Sequence, residues 1–219
     1  YIDPKNKKTL VDNKKEKYWM GDGLPRHDFN GGVDMYVGGT EHATRHLIYA
    51  RFWHKFLYDI GMVVSKEPFA SLKNQGLIMG NDGRKMSKRW GNIINPDDIV
   101  KESGADSLRL YEMFMGPFDQ PIPWSSKNII GVKRFLERVF NLKSKISRPQ
   151  RQSAAMAGEK TQKLESLIHK TIKKVTEDIE NFHFNTAVSA LMILANEMEK
   201  QDSLKIENWK LLIKLLSPF

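Results

Sequence analysis

Residues 84–89 read RKMSKR, so four cations fall within six residues, with Gly83 before them and Gly91-Asn92 after. Lys85 and Lys88 stand three apart on what reads as a loop. That spacing can set two ammonium groups against successive phosphates. Phosphoryl and adenylyl transfer consist largely of positioning and of neutralising charge that develops on oxygen, which such a pair can do. It is not a Walker loop, because no GxxxxGK[ST] run precedes a helix. Ser87 has no assignable histidine base, which argues against a serine hydrolase. A solvated turn is the plain alternative for any charge run of this kind.

A second constellation is Gly38-Gly39-Thr40-Glu41-His42. It follows VDMYV, a β-branched and aromatic run that predicts a buried strand ending in a tight turn. In an open α/β sheet, ligands bind at the carboxyl ends of strands, where glycines let backbone come close. Glu41 could accept hydrogen bonds from ribose hydroxyls, and His42 could touch a base or phosphate. His42 and His46 have the i, i+4 spacing of a metal pair. There is no HExxH and no obvious third ligand, so no metal site is expected.

The elements that must hold these groups follow from pattern. Residues 1–32 are rich in Lys, Gly and Asn and read as an irregular or loosely paired connecting segment. Thr40 is expected to cap a helix over 41–60, with Leu47, Ala50, Trp53 or Phe56, Leu57 and Ile60 near helical spacing and Gly61 as its stop. Phe52, Trp53 and Phe56 are expected in the core. MVVS (62–65) and NQGLIMG (74–80) suggest further short strands of a parallel sheet. Pro96-Asp97-Asp98 opens a short helix ending near Gly104, and ADSLRLYEMFMG gives another. Trp124 is expected to anchor this joint. From 128 onward the pattern is helical: 128–146, then a hydrophilic break over 147–160, then 161–182 and 184–200. The fold class is therefore α/β followed by all-α.

The 219 residues are 40% hydrophobic and carry a net charge of +9. From residue 150 onward there are 10 cations against 9 anions, and before it 25 against 17. The excess sits in the front and suits a polyanionic partner. There is no cysteine, which excludes disulfides, thiolate zinc sites and cysteine nucleophiles and agrees with a reducing, cytoplasmic setting. No apolar run reaches the roughly 18 to 20 residues of a membrane span. The first residue is Tyr1 and the last stretch is LLIKLLSPF, so the chain is expected to be a piece of a larger protein.

GRKMSKRWGNIINPDD resembles the KMSKS signature of class I aminoacyl-tRNA synthetases. VDMYVGGTEHATRHLIYARFWHKFLYDIG, GADSLRLYEMFMGPF, PWSSKNIIGVKRFLERVF and FNTAVSALMILANEM are similar, in that order, to leucyl-tRNA synthetases of the bacterial type. GGTEHA and LYEMFMGPF set the chain apart from the valyl, isoleucyl and methionyl enzymes.

The resemblance implies four segments: 1–32 connecting, 33–94 the second half of a Rossmann-like catalytic domain, 95–127 a helical stem-contact joint, and 128–219 part of an anticodon-binding-type bundle. It implies a catalytic role for Lys85 and Lys88, with Lys88 stabilising the ATP phosphates as pyrophosphate leaves. Met86 and Ser87 would lie on the ATP-binding loop, and Gly38, Gly39, Glu41 and His42 would border the adenosine pocket. Leucine, tRNA-Leu and ATP with magnesium are the implied ligands, and the N-terminal half of the synthetase the implied protein partner, with no membrane involved. Arg89 stands where the family usually has Ser, and the HIGH signature does not occur in these residues. The 219 residues alone are therefore expected to be inactive. The alternative is a non-catalytic RNA-binding or assembly module derived from such an enzyme.

Overall fold

A computed structural model of the protein describes residues 3–21, 31–146 and 154–219, with backbone alone from 154 to 161. The chain divides into two compact units, Tyr1–Gly76 and Leu77–Phe219. In order, its elements are α1 (Asn13–Met20), β1 (Val33–Val37), α2 (Ile48–Asp59), β2 (Phe69–Lys73), β3 (Ile78–Met79), α3 (Pro96–Ser103), α4 (Ala105–Phe114), β4 (Ile122–Pro123), α5 (Ser126–Asn141), α6 (Ala154–Glu180), α7 (Phe184–Glu199) and α8 (Ile206–Leu216). The α/β front and all-α rear are as expected. No described helix is long and apolar enough to cross a membrane.

In the first unit, β1 and β2 form a parallel pair with Val33 opposite Phe69 and Tyr36 opposite Leu72. The expected strand at 62–65 is absent. β-Branched residues suggested it, but the partner of β1 is Phe69–Lys73, a more polar run. Nor is β1 buried: Met35 and Val37 are 42% and 50% exposed, because two strands cannot cover both of their own faces. The segment expected to be irregular contains α1, capped by Asp12, whose carboxylate accepts from the amides of Lys14 and Lys15. Its one buried side chain is Glu16, whose Oε1 accepts from Val64 N at 3.1 Å. Residues 22–30 of that segment lie outside the described residues.

The helix expected from residue 41 begins differently. Thr40–His42 is a 3-10 turn, Ala43–Leu47 a π-helical turn, and only from Ile48 is the helix regular; Thr40 makes no side-chain cap. Its end is as expected. Gly61 takes φ +73°, its amide donates to Tyr58 O, and Met62 N donates to Leu57 O, closing a Schellman motif. The expected core positions are not core: Phe52, Trp53 and Phe56 are 70%, 57% and 44% exposed, and Leu57 alone on α2 is buried. Helical spacing sets which residues share a face, but it does not supply the element that covers the face.

The second unit is organised around one apolar cluster. Ile129, Val132, Phe135 and Val139 of α5 and Ala187, Val188, Leu191, Leu194, Ala195 and Met198 of α7 recur every three or four residues, so each set forms one inward stripe. Leu110 and Tyr111 from α4, Val175 from α6 and Leu212 from α8 are among the residues that join it. Trp124 is buried edge-on against Tyr111 at 5.0 Å, and its Nε1 donates to Ser126 Oγ, so it does anchor the joint. α3 opens at Pro96 and closes at Gly104 (φ +89°) as expected, and Asn95 caps it by accepting from Asp97 N. α6 begins at Ala154, inside the expected hydrophilic break, and residues 147–153 of that break lie outside the described residues. β3 and β4 form a separate parallel pair, so the parallel strands belong to two small sheets, one in each unit.

Candidate functional site

The predicted site residues divide between the two units: Gly38, Gly39, Glu41 and His42 in the first, Lys85, Met86, Ser87 and Lys88 in the second. In the first unit, Gly38 N donates to Lys73 O at 3.1 Å and carries the β1–β2 pairing one step past the strand. The chain then turns at Gly39, and His42 N donates back to Gly39 O. Glu41 is exposed, yet its carboxylate folds over Gly39. A Cβ at that glycine would collide with Glu41 Oε2 and stand 2.7 Å from its Cδ. A side chain at 39 would move this exposed carboxylate aside.

His42 is exposed and meets His46 edge-on at 6.5 Å. His46 Nε2 is hydrogen-bonded to Tyr36 Oη, and Tyr36 stacks on Phe69 at 4.9 Å. The i, i+4 histidines are therefore committed differently, one to a strand tyrosine and one to solvent. Among the described residues no cluster of three or more His, Asp or Glu could hold a metal ion. His54, the next histidine along, bonds to Ser65 O at 2.8 Å and serves the fold. Beside it, Glu67 accepts from Arg51 Nε and Nη2, both at 2.8 Å, and pairs with Lys55 at 2.7 Å. Hydrogen bonds from Arg51, then from Lys55, hold its carboxyl down to about 2.

In the second unit, the loop leaves β3 at Gly80. Gly80 N donates to Arg84 O at 2.8 Å and Gly83 N to Gly80 O at 2.9 Å, and Gly83 takes φ +72°. Met79 and Lys85 then bridge in antiparallel fashion, so the loop doubles back on the strand it left. Ser87 caps the 3-10 turn Lys88–Trp90 by accepting from Arg89 N, and Gly91 at φ +61° ends the turn. Met86 turns inward, partly buried against the apolar cluster, so it anchors the loop. Lys85 and Lys88 are exposed, and neither ammonium meets a carboxylate among the described residues. Arg84 and Arg89 lie over Trp90 at 5.1 and 5.2 Å, bracing the loop from outside by cation–π contact.

Two residues that sequence reasoning passed over stand at the base of this loop. Asn92 Oδ1 accepts from Ser87 N at 2.8 Å, and its Nδ2 donates to Asp82 at 3.1 Å and to Lys85 O at 3.5 Å. Asp82 Oδ1 also accepts from Arg84 N. The Asn92 amide, and after it the Arg84 backbone, holds the Asp82 carboxyl below its ordinary range. The signal available in sequence was the Gly91-Asn92 pair, which reads only as a turn. Chemically, the loop offers two free ammonium groups, two guanidiniums and a braced backbone, which suits a polyanion.

Residues 29–125 match the family model of class I tRNA synthetases (I, L, M and V), and residues 161–219 match the anticodon-binding domain of tRNA ligase. The chain therefore carries a segment of the class I tRNA synthetase domain followed by a segment of the anticodon-binding domain of tRNA ligases. Among solved structures it is similar to Agrobacterium radiobacter K84 agnB2 LeuRS in a ternary complex with tRNA and LeuAMS. The identity is 35% and the TM-score 0.73, over 85% of this chain and 26% of that one. Two structures of Mycobacterium tuberculosis methionyl-tRNA synthetase with methionyl-adenylate share the fold, at 20% and 21% identity and TM-scores of 0.50 and 0.51. Each likeness spans 76% of this chain and 33% of that enzyme. The chain thus spans about a quarter to a third of the length of these relatives.

Proposed function

We propose that the chain is part of an ATP-dependent leucine–tRNA ligase. A leucine carboxylate oxygen attacks the α-phosphorus of ATP and pyrophosphate leaves. A terminal ribose hydroxyl of tRNA-Leu then attacks the leucyl carbonyl, and AMP leaves. The observation that carries the reading is the 35% identity to the Agrobacterium LeuRS over 85% of this chain, against 20% and 21% for the methionyl enzymes. The family model alone does not separate leucine from isoleucine, methionine or valine.

In this reading Lys88 neutralises charge on the departing pyrophosphate, where a preorganised cation stabilises the transition state more than the ground state. Lys85 holds the phosphates from the other side of the signature loop, with Met86 and Ser87 fixing its backbone. Gly38 and Gly39 admit the adenosine closely, Glu41 accepts from the ribose hydroxyls, and His42 borders the base. Magnesium accompanying ATP would add charge neutralisation at the phosphates. The segments 33–94, 95–127 and 128–219 serve as catalytic half, stem-contact joint and tRNA-supporting bundle. The N-terminal half of the synthetase completes the site, and the setting is cytoplasmic.

The test is aminoacylation by the full-length protein with leucine, isoleucine, valine and methionine in turn. Charging of tRNA-Leu with leucine alone is expected. Preferential charging with another of the four would overturn the leucine assignment, and no charging with any would leave the RNA-binding module as the better reading.

A further inference from the structure

The signature loop carries four cations in six residues, and like charges this close in sequence repel one another. Something must hold its backbone shut. Met86 packs against the apolar cluster, and Arg84 and Arg89 both lie over the Trp90 ring. The two limbs are joined by one side chain. Asn92 accepts from Ser87 N on one limb and donates to Asp82 and Lys85 O on the other. Asp82 supplies the only carboxylate between residues 80 and 95.

Gly80 lies directly against this contact. It is buried, and its backbone lies outside the left-handed region, so conformation does not demand glycine there. Space does: a Cβ would stand 2.7 Å from Asn92 Nδ2 and 2.8 Å from Asp82 Oδ1. Three residues, 80, 82 and 92, are thus fitted to one another.

We propose that Asn92, seated on Asp82 over Gly80, is a positioning residue that keeps the lysine loop in its phosphate-binding geometry. The inference rests on the functional reading above for its purpose, but the clasp itself can be tested without it. A clasp acts on the fraction of loops ready to bind, so its loss weakens apparent ATP affinity in proportion to that fraction and leaves the bound complex largely unaltered. Losing Lys88 instead removes a transition-state contact and lowers kcat.

The experiment uses the full-length protein with Asn92→Ala, Asn92→Asp, Gly80→Ala and the exchanged pair Asp82→Asn with Asn92→Asp. The exchanged pair keeps one carboxylate and one amide at the base. The carboxylate introduced at position 92 accepts from Ser87 N, and the amide introduced at position 82 donates to that carboxylate. In leucine-dependent ATP–pyrophosphate exchange, Asn92→Ala and Gly80→Ala should each raise KM for ATP roughly tenfold, with kcat within about threefold. KM for leucine should stay unchanged. Asn92→Asp should be at least as impaired, because two carboxylates then face each other, and the exchanged pair should recover most of the loss. Trypsin cleavage after residues 84, 85, 88 and 89 should accelerate in the three single variants and return toward wild type in the pair. An unaltered KM for ATP in Asn92→Ala, a fall confined to kcat, or cleavage at the wild-type rate overturns the inference. A wild-type protein with no leucine-dependent exchange refutes the functional reading instead, and the cleavage rates then decide whether the clasp exists.

Discussion

Helices α2 and α7 invite comparison. Both are apolar along one face, α2 through Ile48, Phe52, Trp53, Phe56 and Leu57, α7 through Ala187, Val188, Leu191, Leu194, Ala195 and Met198. On α7 these six residues are 0–2% exposed, whereas on α2 only Leu57 is buried and Phe52 is 70% exposed. α7 is covered by α4, α5, α6 and α8 within its own unit. α2 has beside it a two-stranded sheet and a short helix. The same sequence pattern therefore yields a core in one unit and an exposed apolar face in the other. Amphipathicity states that a face wants covering, and only topology supplies the cover.

The largest effect that sharpens this contrast is truncation at the two helix faces. Leu191→Ala should destabilise the second unit by about 3 kcal/mol, since it leaves a cavity in a closed core. Phe52→Ala should alter stability of the 219-residue chain by less than about 0.5 kcal/mol. Urea denaturation checks both, and similar losses at the two sites would break the comparison.

A smaller effect is expected at Asp178, the buried acid that joins α6 to α7. Its carboxylate accepts from Lys174 Nζ and Thr186 Oγ1, both at 2.7 Å, while 5% of its side chain is exposed. Asp178→Ala removes both contacts, but Thr186 Oγ1 keeps its bond to His183 O and Lys174 is half-exposed, so it should cost about 1 kcal/mol. Asp178→Asn keeps the size and one acceptor and should cost less. Equal denaturation midpoints for the two variants would count against the paired carboxylate.

The smallest expected effect lies in the first unit, at an exposed cluster of ion pairs. Glu67 is held down to about 2 by Arg51 and Lys55. A depressed carboxyl contributes stability that is complete above its unfolded value near 4.5 and is lost as pH falls toward about 2. The side chains of Arg51, Lys55 and Glu67 are 57%, 33% and 34% exposed, so solvent screens the trio and the contribution stays below about 1 kcal/mol. Glu67→Gln should flatten the acid limb of the first unit's pH–stability curve between these values. A limb unaltered by that substitution would remove Glu67 from the account.

Local signals were legible in sequence and non-local ones were not. α3 could be read because Pro96, Asp97, Asp98 and Gly104 act within the helix's own end turns. Gly61 could be read as a stop for the same reason. The cationic loop was legible as chemistry, but its clasp was not, since Asn92 reaches back five, seven and ten residues. α1 was missed because its lysine run lacks apolar periodicity and its buried residue is a glutamate, accounted for only by Val64 N. β2 was missed because FASLK alternates with polar residues and follows Pro68, while MVVS carries the stronger β-branched pattern without a strand to pair with. The fate of Phe52, Trp53 and Phe56 depends on what lies over α2, which no local rule contains.

The cations of the signature loop are proposed to act on ATP phosphates during leucyl-adenylate formation, with Lys88 the principal one. Leucine-dependent ATP–pyrophosphate exchange by the full-length protein, wild type against Lys88→Ala, tests this most directly. Exchange with leucine should fall roughly 100-fold in the variant, the loss of one preorganised transition-state donor, with KM for leucine little altered. Exchange at the wild-type rate in Lys88→Ala would contradict it.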